Sequence, residues 1–321
     1  PEKALKAGDA LRTLVPDAGH LVHMPTHIDV LCGQYHDVVV WNLEAVAADR
    51  KEFARSGGMN FYTGYRQHNL HFVIYGALFL GQYRPALEAA RELVATTPEA
   101  LLRAEDFPMA DFFEAFTAMV WHVFIRFGKW EEILAEPMPD DPVLHCTGVA
   151  TARYARGVAL AALGRVGEAE EEARRFEEAR ARVPESRLLH NNRVVDLLAI
   201  AAEMLRGEIA YREGAHEAAF RHLRRSVALD DALPYDEPWG WMQPTRHALG
   251  ALLLEQGRVE EAEAVYREDL GLGGRLSRAT IHPDNVWSLR GLVSCLERRG
   301  AEGPGLRHLR QRLDLALARA D

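Results

Sequence analysis

Three observations predict an all-α fold for this chain, built from stacked pairs of helices. Apolar residues recur at the helical period along most of the 321 residues, and strand signals are nearly absent. Each apolar stripe ends at a short glycine-containing turn, and proline or glycine breaks separate one pair from the next. The turns fall at Gly33, Gly81, Gly128, Gly164 to Gly167, Gly214 and Gly257, with a degenerate seventh near Gly300. This spacing indicates a repeat array of about six to seven helix pairs.

The individual elements follow this pattern in chain order. The opening segment, Pro1 to Leu14, matches the second helix of a pair, so we expect a further helical segment upstream. The β-branched residues Val38 to Trp41 lie where the second helix of the next pair belongs, and we predict a helix there despite their strand propensity. Later pairs are separated at Pro98, Pro137 to Pro142, Pro184, Pro234 to Pro238 and Pro283. We predict one array over residues 1–321, with a histidine-rich half at 1–140 and a more regular half at 141–321.

The repeat is clearest in two stretches, ALGRVGEAEEEARRFEEA and HALGALLLEQGRVEEAEAVYRED. Gly164 and Gly257 stand at the turns, and Ala169 and Ala262 are small residues that let the second helix pack closely. This layout resembles the tetratricopeptide repeat family. The resemblance implies a right-handed superhelix whose concave groove is lined by the first helix of each pair. The turns here are about 36 to 50 residues apart, longer than the family period, so we expect lengthened helices or loops.

The composition and charge of the chain exclude several functions. A net charge of −9 argues against nucleic-acid binding, because such proteins need a basic face. The longest apolar stretch, Phe72 to Leu80, is too short to cross a bilayer, so we expect no membrane association. Cys32, Cys146 and Cys295 lie far apart without a C-x-x-C pair, which favours a reducing compartment, and we predict the cytoplasm.

Histidines recur at matched distances before the glycine turns. His23 and His71 each lie ten residues before the next turn glycine. His20 and His68 lie thirteen residues before it, and His27 and His122 lie six residues before it. Residues at equal offsets become neighbours on adjacent first helices of an array, so we expect these imidazoles to converge in the groove. Imidazole nitrogens are common ligands of transition metals. We therefore predict that these six residues form a site for Fe, Cu, Mn or Zn, with Pro25 interrupting the helix inside it.

The strings GHLVHMPTHI and YRQHNLHF carry a second resemblance. They are similar to strings in a bacterial subgroup of tetratricopeptide proteins that read HMPSHI and HNxHF. The positions shared with that subgroup are His20, His23, Pro25, His27, His68, Asn69 and His71. The resemblance implies a role for the histidines beyond packing, and it names no reaction. In that subgroup we also expect histidines in an upstream helix pair, which this chain lacks.

A second polar set precedes the Gly257 turn in DEPWGWMQPTRHALG. The guanidinium of Arg246 suits a carboxylate or phosphate, and tryptophans offer flat apolar walls. The candidate ligand-binding residues are Trp241, Gln243, Arg246 and His247, with Tyr65, Asn69 and Asp111 as partners for the metal-binding histidines. In the alternative, the tryptophans cap a loop between helices and Arg246 pairs with an acid such as Glu255 or Asp236.

Two functions remain for a chain with these features. It contains no phosphate-binding P-loop, no dinucleotide-binding GxGxxG, no GxSxG elbow and no HExxH motif. The first hypothesis is a metal-dependent enzyme, oxidative or hydrolytic, that acts on a small molecule in the groove. The second is an interaction scaffold that binds a peptide or protein partner there, with the histidines as a polar lining. The apolar ends of such an array also leave room for an oligomer.

Overall fold

The computed structural model describes residues 1–104 and 108–321, and these residues are predominantly helical. The first nine helices are α1 (Leu5–Arg12), α2 (Gly19–His23), α3 (Thr26–Cys32), α4 (Tyr35–Ser56), α5 (Tyr62–Leu80), α6 (Tyr83–Ala95), α7 (Glu99–Leu102), α8 (Met109–Phe113) and α9 (Met119–Arg126). The next nine are α10 (Trp130–Ala135), α11 (Cys146–Ala162), α12 (Val166–Arg180), α13 (Val194–Arg212), α14 (His216–Asp230), α15 (Thr245–Glu255), α16 (Val259–Asp269), α17 (Val286–Arg298) and α18 (Pro304–Leu317). The predicted all-α class is confirmed.

Short elements complete the secondary structure. Single 3₁₀ turns cover Glu2–Ala4, Glu114–Ala118 and Arg278–Thr280. Two short strands, β1 (Leu188–Leu189) and β2 (Asn192–Arg193), form an antiparallel hairpin in which Leu188 pairs with Arg193. In the described part of the chain, no helix combines the length and apolar character that crossing a membrane requires.

Each predicted turn has a glycine between consecutive helices, although Gly167, predicted as part of the fourth turn, lies inside α12. Gly33, Gly81, Gly128, Gly164, Gly214, Gly257 and Gly300 have φ angles from 62° to 79°. This is the left-handed region, where a residue with a Cβ atom is strained, so glycine is the residue that ends one helix and starts the next within a short turn. The β-branched residues Val38 to Trp41 lie inside α4, as predicted. Helical context overrides their strand propensity.

The chain folds into two compact units that alternate along the sequence. The first unit comprises Pro1–Gly57, His68–Ala89 and Arg246–Asp321, and the second comprises Gly58–Gln67 and Ala90–Thr245. The halves that the sequence predicts, 1–140 and 141–321, stay a prediction. The single continuous array stays a prediction.

Adjacent helices pack in pairs in the second unit. Helix α11 packs on α12 and on α13, and α13 packs on α14. A Cβ atom on Gly157 of α11 would come within 2.8 Å of the Leu205 side chain, so the missing side chain is what allows α11 and α13 to approach closely. Ala169, predicted to permit close packing by α12, is fully buried. Tyr154, Phe176 and Phe220 fill the core of this unit.

The first unit joins segments that are far apart in sequence. Helices α2 and α3 pack on α4, and α17 packs on both α16 and α18. The indole of Trp287 donates to the Leu78 carbonyl at 2.7 Å, across 209 residues of sequence. The Gln82 amide donates to the Arg319 carbonyl at 2.6 Å, across 237 residues. Repeats of an open array contact only their neighbours, so the sequence pattern did not predict these contacts.

Candidate metal centre

Three histidines of the first unit direct one nitrogen each at a common point. We call His23, His27 and His68 the histidine triad. His27 Nε2 lies 2.9 Å from His23 Nε2 and 3.5 Å from His68 Nε2, and one ligand nitrogen from each residue lies within 4.8 Å of the others. Around a tetrahedral ion bound at about 2.0–2.1 Å, neighbouring nitrogens are about 3.3 Å apart. The spacing of the triad therefore fits one bound ion.

The proline break positions the first two members of the triad. Helix α2 ends at His23 and α3 begins at Thr26, so Pro25 separates the two histidines onto different helices, as the sequence predicts. The Thr26 hydroxyl donates to the His23 carbonyl at 2.7 Å, which satisfies a carbonyl that the helix break leaves open. His68 comes from α5. Three separate helices thus supply the triad.

A hydrogen-bond chain determines which nitrogen of His23 carries the proton. The Asn42 amide nitrogen donates to the Val38 carbonyl at 2.8 Å and to the Thr26 hydroxyl at 3.0 Å. A carbonyl oxygen can only accept, so the bond to Val38 shows which end of the Asn42 amide is the nitrogen. The other end, Oδ1, lies 2.7 Å from His23 Nδ1. An amide oxygen accepts, so His23 Nδ1 carries the hydrogen. In the neutral ring, Nε2 then carries the lone pair and faces the triad, as in a metal-ligating histidine.

The triad has one closed side and one accessible side. The Phe72 ring lies 4.6, 4.7 and 5.0 Å from the rings of His23, His27 and His68. Phe72 and His23 are fully buried, whereas His27 and His68 are only half-buried. Phe72 therefore forms an apolar floor, and solvent reaches the site past the two half-buried rings.

Two acids of the first unit, Asp29 and Asp49, are fully buried. No carboxylate or thiolate of the described residues joins the group of three ligand atoms. Burial raises the pKa of Asp29 to about 6, although its ion pair with Arg12 at 2.8 Å opposes this rise. Asp49 accepts a hydrogen bond from the Asn69 amide at 2.7 Å. The Arg12 guanidinium thus contacts one of these buried acids, and the Asn69 amide contacts the other.

The other three predicted metal ligands lie outside this group. His20 stacks on His23 with ring centres 5.5 Å apart, and burial, followed by the charge of His27, lowers its pKa. His71 is fully buried one turn beyond His68 on α5. His122 lies in the second unit, where its ring packs edge-on against Trp241 at 5.0 Å. Burial lowers the pKa of His122 to about 4.

The predicted ligand-binding residues of the second unit have local contacts. Trp241 is buried, and its ring contacts Tyr154 at 5.7 Å as well as His122. The Gln243 amide donates to the His122 carbonyl at 3.2 Å. Asp111 lies 3.5 Å from the Arg187 guanidinium, and Tyr65 is exposed. Trp241 therefore belongs to the core of its unit.

The predicted ligand residues Arg246 and His247 lie in the first unit, and both are buried. His247 belongs to a group that we call the Asp269 cluster, formed by Asp269, His247, His282, Asn285 and Ser288. His247 Nε2 and His282 Nδ1 donate to the Asp269 carboxylate at 2.9 and 2.8 Å. The Asn285 amide and the Ser288 hydroxyl donate to it at 2.9 and 2.6 Å. Burial acts to raise the pKa of Asp269, but the two histidines outweigh burial and hold it well below its ordinary value.

Comparison of the chain with protein-family models gives no match, and comparison with curated proteins gives none either. The resemblance to tetratricopeptide proteins and to their histidine-containing subgroup therefore stays a prediction. The structure adds three residues that the sequence pattern did not identify, namely Thr26, Asn42 and Phe72. Asn42 carried a signal, because it interrupts the otherwise apolar inner face of a predicted helix in VVVWNLEAV.

Proposed function

We propose that the histidine triad holds a divalent transition-metal ion and that the chain is a metal-dependent enzyme acting on a small molecule. The observation that carries the proposal is the convergence of three Nε2 atoms at ligating distance, with the lone pair of His23 oriented by Asn42. These three mutually facing imidazole nitrogens, a group that no aspartate, glutamate or cysteine of the described residues joins, are suited to a cation at their centre. Fe, Cu, Mn and Zn are the candidate ions.

The number of protein ligands supports catalysis over a structural role. Structural zinc sites are closed by four protein ligands, whereas catalytic sites have three and leave a position open. The triad supplies three, and the half-buried rings of His27 and His68 leave one side accessible. A bound ion supplies Lewis acidity there, with redox chemistry for Fe, Cu or Mn and hydrolytic chemistry for Zn. Asn42 orients a ligand, and Phe72 excludes water from the opposite side.

The proposal includes a tetratricopeptide-like array, with a right-handed superhelix and a concave groove, as the scaffold of the site. The seven left-handed glycine turns between consecutive helices support it, and so does the full burial of Ala169 and Ala262. The same proposal keeps the cytoplasm as the compartment, because the free thiols Cys32, Cys146 and Cys295 are the form that a reducing compartment maintains.

Metal analysis of protein purified without a histidine tag tests the proposal. We expect about one transition-metal ion per chain, and we expect His27→Ala and His68→Ala to lose it. His36→Ala is the matched control, because His36 is also half-buried in the first unit but lies outside the triad. Elemental analysis after dialysis against a weak chelator measures the ion content of all four proteins.

The contrary result would be a metal-free wild type that stays metal-free after incubation with Fe, Cu, Mn and Zn salts. Capture of a peptide by such a protein would favour the scaffold function instead. Equal metal content in His36→Ala, His27→Ala and wild type would show that the ion lies elsewhere.

A further inference from the structure

We infer that a cavity in the second unit binds a small organic cation, a molecule with an ammonium group on an apolar body. The cavity has a volume of about 540 Å³, and its lining comes from residues between Arg91 and His145, all of which belong to the second unit. This volume lies in the range of small-molecule sites. The inference concerns a second site, so it does not depend on a metal ion in the histidine triad.

Part of the cavity wall is apolar. Val120 and Trp121 of α9 and Leu102 of α7 are buried side chains in this wall. Val94 at the end of α6 is exposed, and Met138 is half-buried. An apolar molecule that enters the cavity removes such surface from water, which favours binding. The body of the ligand is therefore hydrophobic.

The two arginines of the lining already face carboxylates. Arg91 makes a two-pronged ion pair with Glu136, the residue after α10, and one of its two hydrogen bonds is 2.5 Å long. Arg103 donates to Asp141 at 2.7 Å and to Glu99 at 2.7 Å. These bonds fix the segment after α10 as a wall of the cavity. They also occupy the guanidinium groups that an anionic ligand would need.

The lining carries more acids than arginines. Its acids are Glu99, Glu136, Asp140 and Asp141, so four carboxylates stand against two guanidinium groups, apart from a histidine whose charge depends on pH. Asp140 has no hydrogen bond or ion pair with another described residue. A cleft lined by an excess of one charge attracts the opposite charge. The ligand that fits this excess is a cation.

A buried acid lies directly behind the wall. A Cβ atom on Gly148 would lie 3.5 Å from both Glu114 Oε1 and Pro139 Cγ, and Pro139 lines the cavity. The Glu114 carboxylate is fully buried and accepts from the Gly148 N–H at 2.9 Å. Burial raises the pKa of Glu114. A cation in the cavity favours the ionised carboxylate, so the two stabilise each other.

Calorimetric titration of the full chain with three ligands of similar shape tests the inference. The ligands are 2-phenylethylamine, which is a cation, 2-phenylethanol, which is neutral, and 3-phenylpropionate, which is an anion. A chelator keeps metal ions out of the protein, so that the carboxylate of 3-phenylpropionate has no ion to bind. We expect the amine to bind at one site per chain, at least about tenfold more tightly than the anion. Equal affinity for amine and anion, or no saturable amine binding up to about 10 mM, overturns the inference.

A charge-neutralising variant locates the site. Asp140→Asn removes an exposed acid of the lining, and we expect the affinity for 2-phenylethylamine to fall about fivefold while that for 2-phenylethanol stays unchanged. Glu131→Gln makes the same change in net charge at an exposed position of α10 outside the lining, and it should leave both affinities unchanged. Circular dichroism establishes that both variants are folded. Equal amine affinity in the two variants contradicts the assignment of the cavity.

A charge inserted into the apolar wall gives the opposite test. Met138→Lys places an ammonium group in the lining, so we expect it to reduce the affinity for 2-phenylethylamine at least about tenfold and to make 3-phenylpropionate the tighter ligand. Met138→Leu keeps the wall apolar and should retain the order of the wild type. Unchanged amine affinity in folded Met138→Lys would show that the amine binds elsewhere.

Discussion

The histidine triad and the Asp269 cluster lie in the same unit and use the same side chain, but their ring nitrogens face different partners. In the triad, His23 and His27 bring two nitrogens within 2.9 Å of each other, and no carboxylate of the described residues belongs to this group of ligand atoms. In the Asp269 cluster, His247 and His282 both donate to one buried carboxylate. In the Asp269 cluster four donors therefore converge on one acceptor group, whereas in the triad ring nitrogens face one another.

This difference shows why a count of histidines does not identify a metal site. His247 has the same distance to its glycine turn as His23 and His71, yet its Nε2 is engaged by Asp269. An imidazole hydrogen that points at a carboxylate leaves that nitrogen without a lone pair for a metal. The direction of each nitrogen and the charge beside it decide the role of the residue.

The largest expected effect comes from breaking the Asp269 cluster. The Asp269 carboxylate accepts four hydrogen bonds. In Asp269→Asn, one carboxylate oxygen becomes an NH₂ group, whose hydrogens face the donors that the oxygen used to accept from. We expect this substitution to lower the free energy of unfolding by about 3–5 kcal/mol. His27→Gln in metal-free protein should cost less than about 1 kcal/mol, because it leaves no buried charge unpaired. Urea denaturation in the presence of a chelator compares the two, and equal costs would remove the contrast between the clusters.

His122 of the second unit provides a third environment, a buried histidine whose pKa is lowered by burial. Its pKa of about 4 lies below the ordinary value, so the unfolded chain takes up a proton at higher pH than the folded chain does. Stability therefore falls as the pH drops from about 6.5 to about 4, by about 3 kcal/mol for this residue. His122→Gln should remove that part of the pH dependence, and the exposed His308→Gln should not. Urea denaturation of metal-free protein at the two ends of this range measures it.

The stabilisation that added zinc produces distinguishes the histidine triad from the Asp269 cluster. Zinc at about one hundred times its dissociation constant should stabilise the wild type by about 2.7 kcal/mol, because the triad exists only in the folded chain. His68→Ala should lose this stabilisation, and His282→Gln should keep it, because His282 belongs to the Asp269 cluster. Thermal unfolding with and without zinc measures the shift. A zinc effect that survives in His68→Ala would place the ion outside the triad.

The smallest effect concerns the orientation of His23. Asn42→Leu removes the acceptor for His23 Nδ1, and we expect metal affinity to fall about 10- to 100-fold without loss of the site. Thr26→Val removes the hydroxyl that accepts from Asn42 and donates to the His23 carbonyl, but it keeps the Asn42 acceptor for His23 Nδ1, so its effect should be smaller than that of Asn42→Leu. Competition with a chromogenic chelator measures both affinities. If Asn42→Leu binds metal as tightly as the wild type, the hydrogen bond to Nδ1 does not orient the ligand.

Much of the fold was predictable from local sequence. The seven turn glycines and the helix over Val38 to Trp41 are recognisable because backbone conformation and apolar period are properties of neighbouring residues. Part of the candidate site was predictable for the same reason, since His23, His27 and His68 stood out by their spacing from the turns. The equal spacing of His71 and His122 indicated the same role, but they lie outside the triad.

The amino-acid order alone determined the helices, their glycine turns and the concentration of histidines near Pro25 and in α5. Packing alone decided which nitrogens meet. The contact of Trp287 with Leu78 and the hydrogen bond from Asn42 to His23 depend on where whole helices lie relative to one another. Coordination responds to displacements of tenths of an ångström, and such precision comes from side chains packed across distant segments rather than from the period of any one helix.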